Sequence, residues 1–487
     1  MFREYLIKKL AALYEDKIII FDFDDIESRY SYAELLSGLG FKVVKYEDAT
    51  HFRYIYHIDS MDKEPRIAIV VSTEQYVPYD ILKNFYRVDI GWDKLFPNLN
   101  KEVLVKDKTL DLDLLYSAYH ELYESLSVYE TARNYITEKV YGKENVKQYL
   151  AQTREELSTL LSWESLNYND WLNIAEKKGK AQYLAAKGGL NIDFSFIDGE
   201  FRRFILNEYS SISGIIQRGT PLMVSRVMDF ISKKNDKVAL IVLDGMSVFD
   251  FKILAEEFDD IDYREHYIYA MVPTTTAISR QSLLTGKFPV ELERPFGLSG
   301  EEKGFVEKAK SLGYLQNQIL YTRGSAPNIG PSIKCLCVIL NDIDELVHAQ
   351  TQGRIGMYND INFLARSGKI QKLITKLYKK GFNIYLTSDH GNTLCTGLGL
   401  IRGTGVEVET KSRRMIVLKD FADEKELIER YNLIKYPGYY LDKQFEYLIC
   451  NAGTSFDAKD SIVMTHGGIS IDEVVVPFIK IEAVHCD

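Results

Sequence analysis

The sequence predicts an α/β protein, with a parallel sheet sandwiched by helices, preceded by a small α/β domain and a helical domain. Three observations point there. Short apolar runs rich in Val and Ile recur in the first and second halves of the chain, and several stop at an acid. Between them lies a long stretch with apolar groups every three or four residues, the helical period. In the second half, Asp244, Thr276, Asp344, His348, Asp389, His390 and His466 each fall where a strand or short helix ends. Open parallel sheets gather ligands at that edge.

The first domain is assigned to residues 1–105. Lys17 to Asp25, KIIIFDFDD, reads as a buried strand ending in acids. A helix-like SYAELLSGLGF follows, then the strands KVVKYED and Ile67 to Ser72. Alternating strands and helices imply a parallel sheet. FDFDD also fits the opening motif of a haloacid dehalogenase, but later Ser/Thr and Lys motifs do not accompany it. Acids that cap the next helix are the expected role.

Residues 106–235 are assigned to a helical linker or cap domain. DLDLLYSAYHELYESLSVYETARNYI and ENVKQYLAQTREELSTLLSW carry the helical spacing, and the interleaved Tyr residues form a core stripe. The third domain, 236–487, restarts the α/β pattern at Lys237. Its strands are Val238 to Leu243, YIYAMV ending at Val272, CLCVIL ending at Leu340, Asn383 to Thr387, and VVVPFIKI from Val474.

A chain of 487 residues fits two or three domains. Its net charge of −10 excludes a protein that binds nucleic acid over its whole surface, so any phosphate must be met locally or by metal ions. Cys335, Cys337, Cys395, Cys450 and Cys486 show no CxxC spacing and are expected as free, mostly buried thiols. The charged amphipathic start does not read as a signal peptide. No apolar run approaches the ~20 residues of a membrane span. A cytoplasmic protein with no membrane partner is expected.

The seven residues carry the chemistry. Asp244 closes an apolar run before Gly245; alone it would be a helix cap. In Val272 to Pro289, a proline ends a strand, a run of Thr turns the chain and an amphipathic helix begins. A hydroxyl there meets the helix dipole and free N–H groups, which suit an anion. Capping by Thr275 or Thr276 is compatible with that use. Asp344 and His348 stand four apart on one helical face. Asp389 and His390 are adjacent, with Gly391 expected to permit a sharp bend, and His466 lies among glycines. Sorted by geometry, Asp344, His348 and His466 form one site; Asp244, Asp389, His390 and Thr276 form the other. Three carboxylates and one alkoxide balance two divalent cations, which clamp a phosphoryl group and lower the hydroxyl pKa. Zinc suits this ligand set first, with manganese and magnesium as alternatives.

The order D…PTxT…DxxxH…DH…H resembles the alkaline phosphatase superfamily, and its nucleotide pyrophosphatase/phosphodiesterase branch in particular. By the match of PTTTAISRQSLLTG to that branch, Thr276 would be the nucleophile. Ser279 stands where the branch has an Asn that helps hold the phosphoryl oxygen, so the resemblance gives that task to Ser279 or Arg280. VLDGMS, VPTTTAISRQSLLTG, LNDIDELVH, LTSDHGN and THGGISIDEVVVP are more closely similar to PglZ-domain proteins, from Lys237 onward. VVKYEDATHFRYIYH also resembles their opening module.

The resemblance implies a metal-dependent phosphodiesterase or nuclease acting on nucleotide or nucleic-acid diesters. It also implies a bacterial anti-phage (BREX-like) or signalling system whose other proteins are partners. Two alternatives stand beside it: a phosphomonoesterase, and a metal-bound scaffold of a defence complex. A cap from ~290–335 and ~393–460 would separate the first two. A monoesterase would need an Arg to clamp a dianion; Arg280, Arg413 and Arg414 are candidates, the last two expected in surface salt bridges.

Overall fold

The computed structural model describes residues 2–58, 66–72, 75–107, 110–120, 122, 124–162, 165–217, 219–232, 236–324, 327–400, 412–419 and 424–485. Cys486 and part of the expected cap, 401–411, lie outside them. The chain separates into two compact units, Met1–Tyr149 and Leu150–Asp487.

The first unit holds strands β1 (Lys17–Asp22), β2 (Lys42–Lys45), β3 (Ile67–Val71) and β4 (Tyr86–Ile90). They form a fully parallel sheet in the order β2-β3-β1-β4. Ile19, Phe21, Val44, Ile67, Ile69 and Val71 build one core cluster on it. Two acids at the end of β1, Asp22 and Asp24, hold the first N–H groups of nearby helices. Asp22 accepts from the N–H groups of Ile26 (2.9 Å) and Glu27 (2.8 Å) and from the Tyr32 hydroxyl (3.0 Å). Asp24 accepts from the N–H of Trp92. These contacts are those of capping acids.

The second unit begins with helices that include Tyr168–Lys187 and Ser195–Asn207, joined by packing of Trp171 against Phe201 and Phe204. Then come β5 (Val238–Leu243), β6 (Ile261–Tyr269), β7 (Ile319–Arg323), β8 (Cys335–Leu340), β9 (Asn383–Thr387), β10 (Thr393–Gly397), β11 (Met415–Leu418), β12 (Leu433–Tyr436), β13 (Glu446–Cys450), β14 (Thr454–Ser455), β15 (Ile462–Thr465) and β16 (Val475–Val484). The main sheet runs β6-β16-β9-β5-β8-β7, and β5, β7, β8 and β9 are mutually parallel. β16 is antiparallel to both its neighbours, so β6 points the same way as the parallel set. Helices such as Val248–Leu254, Gly353–Arg366 and Lys369–Lys379 contribute to the core, where Ile241, Leu243, Phe251, Val338, Leu373 and Leu386 are buried together.

β6 departs from expectation, whereas β16 forms as expected despite its proline. The run ending at Val272 leaves the sheet at Tyr269, because the next N–H groups turn elsewhere: Ala270 donates to Val474 O and Met271 to the Ser279 hydroxyl. β16 carries Pro477 inside the sheet. Its pairing with β9 covers only Phe478 to Lys480, so the missing N–H costs no rung there. Two small sheets, β14-β10-β15 and the antiparallel β11-β13-β12, fold within the segment expected as part of a cap.

Candidate metal centre

The strands bring the seven residues to one edge of the main sheet. Asp244 follows β5 directly, and Asp389 and His390 follow β9 with one serine between. Asp344 and His348 lie in the helix Asp342–Ala349 that follows β8. Thr276 opens the helix Thr276–Thr285 after β6, and His466 precedes β16 on the same edge. The ligand-capable atoms of Asp344, His348 and His466 lie within 4.8 Å of one another, and so do those of Asp244, Asp389 and His390. The rings of His390 and His466 stack at 4.1 Å, so the two groups are neighbours.

Backbone geometry sets these positions. Gly245 turns the chain after Asp244 in the left-handed region at φ +75°, where a side chain would be strained. Ser388 ties the β5 and β9 ends together: its hydroxyl contacts Leu243 O at 2.7 Å and accepts from the N–H of Met246 at 2.9 Å. Gly391 does something other than the expected bend. Its φ is not positive; instead a Cβ there would stand 2.0 Å from Asp472 O, so a close backbone approach demands glycine.

The histidines are oriented from behind. His466 Nδ1 lies 3.1 Å from Thr274 O, and His390 Nδ1 lies 3.0 Å from Gly391 O. Each N–H donated to a carbonyl leaves the Nε2 lone pair facing the group, the arrangement that metal-binding imidazoles share. His390 Nε2 is 3.0 Å from Thr276 Oγ1 and 3.8 Å from both Asp244 Oδ1 and Asp389 Oδ2. His348 Nε2 and His466 Nε2 approach Asp344 Oδ1 at 3.3 and 3.4 Å, neither aligned as a hydrogen bond.

Electrostatics favour a cation. Asp244 Oδ1 and Asp389 Oδ2 are buried oxygens with no hydrogen-bond partner, and Asp344 Oδ1 meets only the two imidazoles. Such atoms are costly unless something positive meets them. Burial first, then Asp244, pushes the Asp389 carboxyl well up; burial also raises Asp244 against the pull of Arg280. For Asp344 burial is outweighed by His348 and His466, and its pKa is lowered. Burial, helped by His466, drives His390 down, so it is neutral and free to donate its lone pair. The donor set, oxygen and imidazole only, fits two divalent ions of the zinc class.

Thr276 is half-buried at the first position of its helix, and Thr275, the cap residue, makes no side-chain cap bond. The two neighbours assigned to oxyanion binding are placed differently. Ser279 is buried, with its hydroxyl donating to Asp389 O and accepting from the N–H of Met271 at 3.0 Å. Arg280 is fully buried: Nη1 contacts Asp244 Oδ2, and Nε donates to Glu301 Oε2 at 3.0 Å. Arg413 pairs with Asp457 at the surface as expected. Arg414, expected there too, is fully buried against Glu473, because its guanidinium finds three acceptors inside.

Residues 222–481 match the family described as the BREX system PglZ alkaline phosphatase-like domain. The chain belongs to the PglZ family. That membership supports a phosphoesterase. No curated protein matches the chain. Among solved structures, murine ectonucleotide pyrophosphatase/phosphodiesterase 5 resembles it at 12% identity and a TM-score of 0.36, over 50% of this chain and 88% of that one. Its human counterpart does so at 15% and 0.35, over 50% and 87%. Likeness at this level says nothing of what the PglZ domain binds. Glu301, Glu473 and Thr274, which surround the PglZ site, escaped the sequence reading. The Ser470-x-x-Glu473 capping box was a usable signal for one of them.

Proposed function

We propose that this PglZ protein is a two-metal phosphodiesterase that works through Thr276. Asp344, His348 and His466 would hold one divalent ion, and Asp244, Asp389 and His390 the other, with Thr276 beside it. Bound there, the ions would lower the pKa of a hydroxyl and neutralise phosphoryl oxygens. Thr276 Oγ1 forms a bond to phosphorus as the ester oxygen of the leaving alcohol departs. Water then cleaves the Oγ–P bond, so one diester and one water yield a monoester and an alcohol, and Thr276 is regenerated. The uncapped helix start at Thr276 offers N–H groups to the phosphoryl oxygens.

The observation that carries this reading is the convergence of three carboxylates and three imidazoles in two ligand-capable groups, beside a hydroxyl 3.0 Å from His390 Nε2. A diester is favoured over a monoester because Arg280 is committed to Asp244 and Glu301 instead of standing free to clamp a dianion. We assign Ser279 to holding the Asp389 backbone. The substrate class is a nucleotide or nucleic-acid diester, and zinc is the proposed ion. The family description names a BREX system, which supports a role beside other proteins of such a system; we place that role in the cytoplasm and in anti-phage defence.

Hydrolysis of bis(p-nitrophenyl) phosphate and of the monoester by metal-analysed protein tests it. Zinc-dependent diester cleavage, lost in Thr276→Ala and Asp389→Ala, is expected. Two bound ions with neither ester cleaved would move the assignment to a scaffold.

A further inference from the structure

Arg414 and Glu473 form a fully buried ion pair that touches none of the seven residues, yet its carboxylate holds the loop that carries His466. Arg414 Nη1 contacts Glu473 Oε2; Nε donates to Thr454 O at 3.0 Å and Nη2 to Asn451 O at 2.9 Å. Glu473 Oε1 accepts the N–H of Gly468 at 2.8 Å, while Oε2 accepts from the Ser470 hydroxyl at 2.6 Å. Thr274 completes the frame. Its hydroxyl donates to Gly468 O at 2.9 Å and accepts from the N–H of Gly467 at 3.2 Å, and its carbonyl takes the His466 Nδ1 contact.

The loop has no room to settle elsewhere. A Cβ on Gly468 would lie 2.7 Å from Arg414 Cζ, and one on Gly467 would lie 2.3 Å from Ser412 Oγ. Ser412 and Arg414 lead into β11, Asn451 follows β13 and Thr454 opens β14, so the clamp on the loop is made by the segments that flank β11 and β13. One planar, five-donor guanidinium spans all three acceptors, which a lysine ammonium on a flexible stem does not reproduce.

We infer that Arg414 and Glu473 are positioning residues for the ion held by Asp344, His348 and His466, and that through them the segments flanking β11 and β13 govern that ion's affinity without touching it. This rests on the two-metal reading above. Outer partners of metal-binding histidines typically change affinity by roughly 10–100-fold when removed.

The test is a competitive zinc titration of the full chain against a chelating indicator, with metal analysis of the same samples. The variants are Gly468→Ala, Arg414→Lys, and the double variant R414M/E473Q, which leaves no unpaired buried charge. Variants enter the comparison on showing a cooperative thermal transition. The expected result is two ions in the wild type, with one site weakened roughly 10–100-fold in Gly468→Ala and R414M/E473Q and the other unchanged. Arg414→Lys, which restores charge but not the fork, should fall between. Wild-type affinity at both sites in either folded variant would overturn the inference, as would equal weakening of both. A wild type that binds fewer than two ions would overturn the two-metal reading itself, and this inference with it.

Discussion

Thr276 and Asp250 show how single side chains divide the work around the sheet edge. Thr276 keeps its hydroxyl free of capping duty and beside His390. Thr276→Ser retains that oxygen, so diester turnover should stay within roughly tenfold of wild type, while Thr276→Ala should lose on the order of 10³-fold or more with zinc still bound. Equal losses in both would remove Thr276 from the nucleophile role. Asp250 is fully buried behind the centre, accepting from the Ser247 N–H at 2.8 Å, the Ser247 hydroxyl at 2.7 Å and Asn392 Nδ2. Burial pushes its carboxyl up from 3.8 to about 6. The native state therefore holds a proton that the unfolded chain releases between those values. Stability falls as pH rises through that window, by about 3 kcal/mol in total. Asp250→Asn stays neutral, so its unfolding free energy relative to wild type should improve by about that amount from pH 4 to 7.5 in denaturant titrations. A difference that does not change with pH would refute this account.

At the scale of elements, legibility followed burial. β5 and β9 lie between two partner strands, and β8 is likewise interior, so their apolar runs match the strands residue for residue. β6 was misjudged because it is an edge strand whose first six residues, IDYREH, include four charged or polar ones, and only its apolar end stood out. The antiparallel direction of β16 is invisible to periodicity. The seven site residues were legible because each sits in a local motif at an element's end. Arg414 was misplaced, and the burial of Arg280 went unread, because their partners, Glu473 and Glu301, lie 59 and 21 residues away. The same burial makes testable statements about β8 and the β9 turn. Cys335 is buried and its thiol pushed up to about 12, so Cys335 and Cys337 should resist iodoacetamide at pH 8 until denaturant is added. Rapid native labelling would place β8 wrongly. Gly391→Ala must move Asp472 or the turn, and should cost about 1–3 kcal/mol in urea unfolding.

For the whole molecule, both groups of candidate metal-holding residues among the described residues fall within one of the two compact units, Leu150–Asp487. No helix among the described residues is long and apolar enough to cross a membrane. A chain with net charge −10 that gathers three carboxylates at one edge, with Arg280 as the one buried guanidinium beside two of them, concentrates acid where the fold is poorly hydrated. Ions that bind the native state but not the unfolded chain offset it by mass action, about 2.7 kcal/mol per site at a hundredfold excess over the dissociation constant. Heat denaturation should thus separate the two units by their response to metal. Adding zinc to EDTA-treated protein should raise the transition of the larger unit by several degrees, with the gain growing with the logarithm of free zinc. The transition of the smaller unit should stay where it is. Calorimetry across a zinc series checks both statements at once, and a thermogram that ignores zinc throughout would remove the metal centre from the account of this fold.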